Sequence, residues 1–230
     1  IHGAQSAKES LEDFTLRWTK RFHEDCKHLG LLAPHVEPGA VSYIPEQIQL
    51  ILTLQEKGVA YLDQDGSVYF RIEAFPEYGK LVGLTADRKN AAASRRIETD
   101  EYDHGRSGDF ALWKARKASD GECSWPSPWG PGRPGWHIEC SAMSMASLGS
   151  GFDLHSGGVD LIFPHHENEI AQSEAATGQT FVRHWFHVNH LFVEGRKMSK
   201  SGGNLFTIDD VQARGFSAAE LRFVLLSGHY

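Results

Sequence analysis

His165 and Glu169 stand four residues apart in the run FPHHENEIAQSEAAT. On a helix that spacing puts both side chains on one face, close enough to hold a single ion. Pro164, a residue suited to a first helical turn, opens the segment and Gly178 closes it. A thiol from elsewhere, Cys140, would complete a sulfur, nitrogen and oxygen set suited to Zn2+. Spacing alone leaves a second reading open, in which His165 and Glu169 form a surface pair and Cys140 is a buried thiol. His166 falls on a different face, beside a ligand or on the substrate side. His137 and His155 read equally well as satisfied core histidines.

Two other stretches could handle a nucleotide. Ser156-Gly157-Gly158 precedes Asp160, so a glycine turn would let a ligand approach the backbone while Asp160 accepts hydrogen bonds from ribose hydroxyls. An ordinary tight turn has the same composition. Lys197-Met198-Ser199-Lys200-Ser201 lies between Gly195 and Gly202-Gly203, a flexible basic loop. Such a loop can close over a polyphosphate and neutralise the charge that grows as pyrophosphate leaves. Short basic runs are commonly only solvated surface, but the full pentad followed by Asn204 argues against that here.

Several elements must position these residues. Leu11, Phe14, Trp18, Phe22, Cys26 and Leu29 recur at helical spacing, which predicts one amphipathic helix over 8–29 with Cys26 as an inert core residue. A Pro/Gly loop through Pro34, Pro38 and Gly39 leads to a second helix, from Pro45 to Gly58. VAYLD and SVYFRI around Asp65-Gly66 predict a β-hairpin. Residues 80–109 are polar and read as exposed. Residues 119–134 are a Gly/Pro-rich loop whose Trp125 and Trp129 point to packing. WHIECSAMSMASLG then reads as a buried segment running into a helix, FDLHSGGVDLIF as a strand, a glycine turn and an apolar run, and WFHVNHLFV as a strand. Strands alternating with helices predict an α/β parallel sheet, with the hairpin region as an insertion.

Composition limits the function classes. The 230 residues are 40% hydrophobic and 23% charged, values of a folded chain with a core rather than a fibre or a disordered tail. The formal net charge of −7 excludes a simple basic nucleic-acid binder and confines any RNA contact to a local patch. Three widely spaced cysteines make no disulfide framework. With no apolar run near the roughly 18 residues of a membrane span and no signal-like start, a cytoplasmic location is expected. Of 13 histidines, seven fall between His137 and His190, a concentration that calls for a chemical reason.

KMSKS resembles the second signature of class I aminoacyl-tRNA synthetases. GWHIECSAM followed by DLIFPHHENEIAQSEA resembles the cysteinyl-tRNA synthetases in particular. The upstream segments RFHEDCKHLGLLAP, GSVYFRIEAFPEYGKL, DFALWKA and SWPSPWGPGRPGWHIEC resemble the same family in order, so the likeness covers essentially the whole chain. It implies a Rossmann-like catalytic domain. On this basis residues 1–50 and 134–195 are parts of that domain, 51–133 is a connective α+β insertion, and 196–230 carry the KMSKS loop and the start of a helical region.

The resemblance further implies activation of cysteine with ATP, accompanied by Mg2+, and transfer of the cysteinyl group to the 3′ end of the cysteine tRNA. The family's zinc is held by two cysteines, a histidine and a glutamate, which carries Cys140, His165 and Glu169 over as three ligands. The other cysteine and the HIGH signature fall upstream of residue 1, so these 230 residues alone are not expected to form adenylate. Trp136 and His155 match positions lining the amino-acid pocket, Gly158 and Asp160 the adenosine side, and Lys200 the ATP contact, assisted by Lys197. Zinc ligation would select a thiol over a serine hydroxyl. A monomer is expected. Ser156 and Gly202 depart from the family pattern, and Gly202 removes an apolar anchor, which predicts a looser loop. The competing readings are a cysteine ligase acting on an amino sugar, as in mycothiol biosynthesis, and a truncated, non-catalytic zinc-binding paralogue.

Overall fold

In the computed structural model, residues 2–84, 108–199 and 202–228 are described. The chain divides into two compact units, residues 36–187 and residues 1–35 with 188–230.

The larger unit opens with helix α3 (Ile44–Glu56), preceded in the chain by α1 (His2–Ala7) and α2 (Leu11–His28) of the other unit. α3 carries Pro45 in its first turn and buries Ile44, Gln47, Leu50, Ile51 and Leu54 along one face. The predicted hairpin follows as β1 (Ala60–Leu62) and β2 (Val68–Phe70), with Tyr61 opposite Tyr69. Its turn suits the sequence, because Gly66 takes φ +85° and the Ser67 N–H donates to Asp65 Oδ1. β3 (Phe110–Ala115) and β4 (Gly132–Pro134) extend the hairpin into a four-stranded antiparallel sheet in sequence order. Phe70 stacks on Phe110 at 4.9 Å, and Val68, Leu112, Trp113, Ile138 and Leu54 complete a core between this sheet and the helices.

The other half of the unit is α4 (Trp136–Leu148), β5 (Phe152–Gly158), α5 (Glu167–Thr177) and β6 (Val182–Val188). Gly151 N–H donates to the Phe181 carbonyl at the start of both strands, and further along Asp153 meets Arg183 and His155 meets Trp185. β5 and β6 therefore run in the same direction with α5 between them, the expected parallel arrangement. The larger sheet, by contrast, is antiparallel throughout.

Gly135 joins the two halves. Its N–H donates to the Leu112 carbonyl, and a Cβ there would overlap the Ala111 carbonyl oxygen. Only glycine lets the start of α4 lie this close to β3. α4 in turn buries His137 and leaves Cys140 half-buried.

Several expectations are corrected. The helix predicted over 8–29 is present as α2, whose Ser10 hydroxyl caps it by accepting from Asp13 N–H, but its expected burial is not. No residue of α2 is buried, and Trp18 and Phe22 are more than half exposed. Phe14 rests against Gly3, while the Arg17 guanidinium lies over the Phe14 and Trp18 rings, so the apolar stripe meets α1 and a cation rather than a core. Cys26 is only half-buried. Gly157 and Gly158 lie in β5 instead of a turn, and regular helix begins at Glu167, after a wide turn over Ile162–His166 with a cis Phe163–Pro164 peptide. Residues 85–107 of the polar stretch lie outside the described residues. At its end, Asp109 is buried and accepts from Tyr61 Oη and Ile72 N–H.

In the smaller unit, β7 (Phe192–Val193) and β8 (Arg196–Lys197) form a short hairpin, followed by α6 (Ile208–Ala213) and α7 (Ala218–Leu226). Arg222 Nη1 donates to the Leu29 and Gly30 carbonyls, and Arg21 pairs with Asp25 and with Asp209 at 2.8 Å. Among the described residues no helix is long and apolar enough to cross a membrane.

Gly135→Ala is expected to separate α4 from β3 and cost about 1–3 kcal/mol, the range for overpacking. Thermal unfolding followed by circular dichroism checks this, and an unchanged midpoint would contradict the close approach.

Candidate metal centre and nucleotide loop

α4 and α5 pack side by side, tied by a hydrogen bond from Ser141 Oγ to Gln172 Oε1 at 2.6 Å. Cys140 is the neighbour of Ser141 and Glu169 sits one turn before Gln172, so this contact sets the thiol against the carboxylate. His165 comes from the turn that leads into α5. Potential ligand atoms of Cys140, His165 and Glu169 all lie within 4.8 Å of one another. His165 Nε2 is 2.8 Å from Glu169 Oε1, as four-residue spacing requires. The surface-pair alternative is thereby excluded, because Glu169 is fully buried and His165 is 4% exposed.

The electrostatics of the set fit a cation. Both Glu169 oxygens are buried with no hydrogen-bond donor. A buried carboxylate in that condition is strongly unfavourable unless a proton or a cation faces it. Burial, with Glu169 and Glu139 nearby, pushes the Cys140 thiol up to about 12, so without a cation it stays protonated. His165 Nδ1 lies 2.8 Å from His137 Nδ1. Burial and the neighbouring His165 push His137 down to about 3, so it is neutral and can accept the His165 Nδ1–H. That assignment leaves the lone pair of His165 Nε2 directed at Glu169, an arrangement suited to a shared metal ion.

Around this triad the histidines form a continuous layer. His155 Nε2 is 3.4 Å from Glu169 Oε2. His166 is buried, lies edge-on to His155 at 4.9 Å, and its Nδ1 is 2.8 Å from His187 Nε2. Its expected separation onto a different face is corrected. The wide turn over Ile162–His166 rotates it toward β5 and β6, where it joins His155 and Glu169 in a second group of potential ligands. Trp136 is half exposed, with its ring 4.7 Å from His165. Gly158 ends β5, and a Cβ there would lie 2.5 Å from Asp160 Oδ1, so the glycine makes room for the exposed Asp160 carboxylate.

Glu167 and Asn168 were not singled out by the sequence. The Glu167 carboxylate accepts from the backbone N–H groups of Gly79, Leu81 and Val82, and Asn168 Oδ1 accepts from Tyr78 Oη. Burial raises Glu167 above the usual carboxylate range, with the backbone donors opposing it. The only signal for these roles was the density of polar residues in a helix that buries Glu167, Asn168, Glu169, Gln172 and Ser173.

In the smaller unit, Lys197 lies in β8 with Nζ 3.1 Å from His190 Nε2. Lys200 lies outside the described residues. Ser201 lies outside them too, and the residues on either side are joined by hydrogen bonds. Asn204 Oδ1 accepts from Ser199 N–H and its amide donates to the Lys197 carbonyl, while Gly202 N–H donates to Ser199 Oγ. A Cβ at Gly202 would lie 2.8 Å from that hydroxyl, so this glycine permits the ring of contacts to close.

The model of the tRNA synthetases class I (C) catalytic domain matches residues 1–230. The chain belongs to this family. Similar relatives are proteins named cysteine–tRNA ligase from Opitutus terrae, 53% identical over the whole chain and 51% of the relative, and from Chlamydia caviae, 50% identical over the whole chain and 48% of the relative. A third, from Brachyspira hyodysenteriae, is 50% identical over 96% of the chain and 46% of its own length. The chain thus spans about half the length of the curated relatives it matches. Among solved structures, a Mycobacterium tuberculosis methionyl-tRNA synthetase in complex with methionyl-adenylate superposes with a TM-score of 0.68 at 18% identity, covering 98% of this chain and 53% of the other. That likeness, like the family match, places the class I catalytic domain in the Rossmann-like α/β class.

Asn204→Ala should remove two of the contacts that close the KMSKS loop. Tryptic cleavage at Arg196, Lys197 and Lys200 is expected to accelerate severalfold relative to the rest of the protein, and an unchanged digestion pattern would contradict this role.

Proposed function

We propose that the chain is the part of a cysteine–tRNA ligase that carries most of the zinc centre and the KMSKS loop. The intact enzyme joins cysteine to ATP, releasing pyrophosphate and forming cysteinyl-adenylate, and then passes the cysteinyl group to the 3′ end of the cysteine tRNA. The observation that carries this reading is the convergence of half-buried Cys140 with buried His165 and Glu169, whose carboxylate has no donor. The names of relatives about half identical to the chain support it independently.

Cys140, His165 and Glu169 would hold the Zn2+, which when bound supplies affinity for a thiolate and little for a serine hydroxyl. The 2.8 Å contact between His137 Nδ1 and His165 Nδ1 would hold the His165 ring with its other nitrogen facing Glu169. Trp136 and His155 line the amino-acid pocket, His155 standing beside the carboxylate and Trp136 beside His165. Gly158 and Asp160 serve the adenosine side, where a bare backbone and an exposed carboxylate suit a ribose. Lys197 and Lys200 neutralise the phosphates of ATP with its Mg2+. Residues 51–133 act as a connective insertion between 1–50 and 134–195 of the catalytic domain, with 196–230 leading into a helical region. The enzyme works as a monomer in the cytoplasm.

ATP–pyrophosphate exchange by the full-length protein is expected with cysteine, and neither with serine nor without an amino acid. Absence of exchange from folded, zinc-loaded protein would favour a non-catalytic zinc-binding paralogue. Cys140→Ser is expected to lower zinc affinity by at least about tenfold, as loss of support at metal sites commonly does. Unchanged metal content after dialysis would contradict the ligand assignment.

A further inference from the structure

Between His165 and Glu169 stand Glu167 and Asn168, and both are anchored to one distant segment, residues 78–82. Glu167 Oε1 accepts the Gly79 N–H at 2.8 Å, while Oε2 accepts those of Leu81 at 3.1 Å and Val82 at 3.3 Å. Asn168 Oδ1 accepts from Tyr78 Oη, and Tyr78, Glu167 and Asn168 are all buried. From the same segment Lys80 pairs with Glu174, whose Oε1 also accepts the Phe181 N–H at 3.1 Å. Gly79 adopts φ +93°, and a Cβ there would lie 2.7 Å from Leu84 Cβ, so the turn that aims these N–H groups at one carboxylate needs glycine.

At 3.6 residues per turn, Glu167 projects to the side of α5 nearly opposite Glu169. Its contacts hold the helix from behind and leave the ligand face open. An apolar side chain would pack there without the cost of a buried carboxylate, so what Glu167 adds is direction rather than burial. We propose that Glu167 is a positioning residue for the metal centre, and that residues 78–82 act as a strap fixing the backbone between His165 and Glu169. The inference rests on the proposed zinc reading, and makes the 51–133 segment a support of the site as well as a connection. With the strap in place the two ligands keep one separation. Without it the junction between the wide turn and α5 shifts, and the ion loses its fixed geometry.

The test is a Co2+ titration and a thermal melt of the full-length protein, stripped of metal with a chelator, for wild type, Glu167→Gln and Tyr78→Phe. Glu167→Gln keeps the volume but turns an amide N–H toward a backbone donor. Wild type is expected to show a sulfur-to-cobalt absorption band. In Glu167→Gln the Co2+ affinity should fall about tenfold, as altering the support behind metal ligands commonly does, with the visible bands shifted. Tyr78→Phe changes the strap alone and should weaken Co2+ binding in the same direction by less. It supplies the comparison if circular dichroism shows the Glu167 variant unfolded. In both variants the gain in unfolding midpoint on metal loading should shrink. A merely structural role would lower the midpoints of stripped and loaded protein together, leaving that gain, the affinity and the spectrum as in wild type, and this result overturns the proposal. Absence of the sulfur band from wild type would instead overturn the zinc reading, so the two failures are distinguishable without an activity measurement.

Discussion

A carboxylate buried without a single hydrogen-bond donor is the constraint around which this half of the molecule is organised. Glu169 is fully inaccessible, and its two oxygens face histidines on either side. Such a group survives in a folded interior only where positive charge can be placed next to it. The surroundings offer neutral imidazoles and a protonated thiol, all of which are ligands for a metal ion and none of which is itself a resident cation. His137, Cys140, His155 and His166 are each held in their uncharged form by burial above all. A metal ion, if bound as proposed, would satisfy the carboxylate and turn that uncharged state into a donor set.

The helix that presents Glu169 differs from an ordinary amphipathic one. Its first turns bury Glu167, Asn168 and Glu169 in succession, and each finds a separate neighbour. Glu167 collects three backbone N–H groups from residues 79–82, Asn168 takes the Tyr78 hydroxyl, and Gln172 meets Ser141 on the adjacent helix. Lys80 adds an ion pair with Glu174. The carboxylate at 169 is therefore held from both sides by polar contacts that a hydrophobic face could not direct so specifically.

Much of this was legible in the sequence because it follows from local periodicity or local turn chemistry. The His165–Glu169 spacing, the Pro45 helix start, the Asp65-Gly66 hairpin and the Gly178 helix end all involve residues within one or two turns of each other. Legibility fails where the outcome depends on distant partners. The stripe on α2 has the right period for burial, yet nothing in its own residues records whether a partner faces it. His166 was assigned to another face by regular helical geometry, and the wide turn before Glu167 changes that face. Gly157 and Gly158 look like a turn, but they serve a strand whose neighbours are a histidine ring and an aspartate side chain. The approach of Cys140 to Glu169 depends on packing between two helices, and only the family resemblance linked those residues beforehand.

The smaller unit has a further consequence for how the polypeptide folds as it leaves the ribosome. It is assembled from residues 1–35 and 188–230, with Arg222 holding the end of α2 by its carbonyls and Arg21 reaching Asp209. The intervening unit draws its core entirely from residues 44–182 and needs neither flank to form it. During synthesis that central unit can therefore close first, while α1 and α2 wait for partners that are translated some two hundred residues later. Residues 1–35 are thus fixed in place only after residues 188–230 have been made, and the apolar α2 stripe stays accessible throughout that interval.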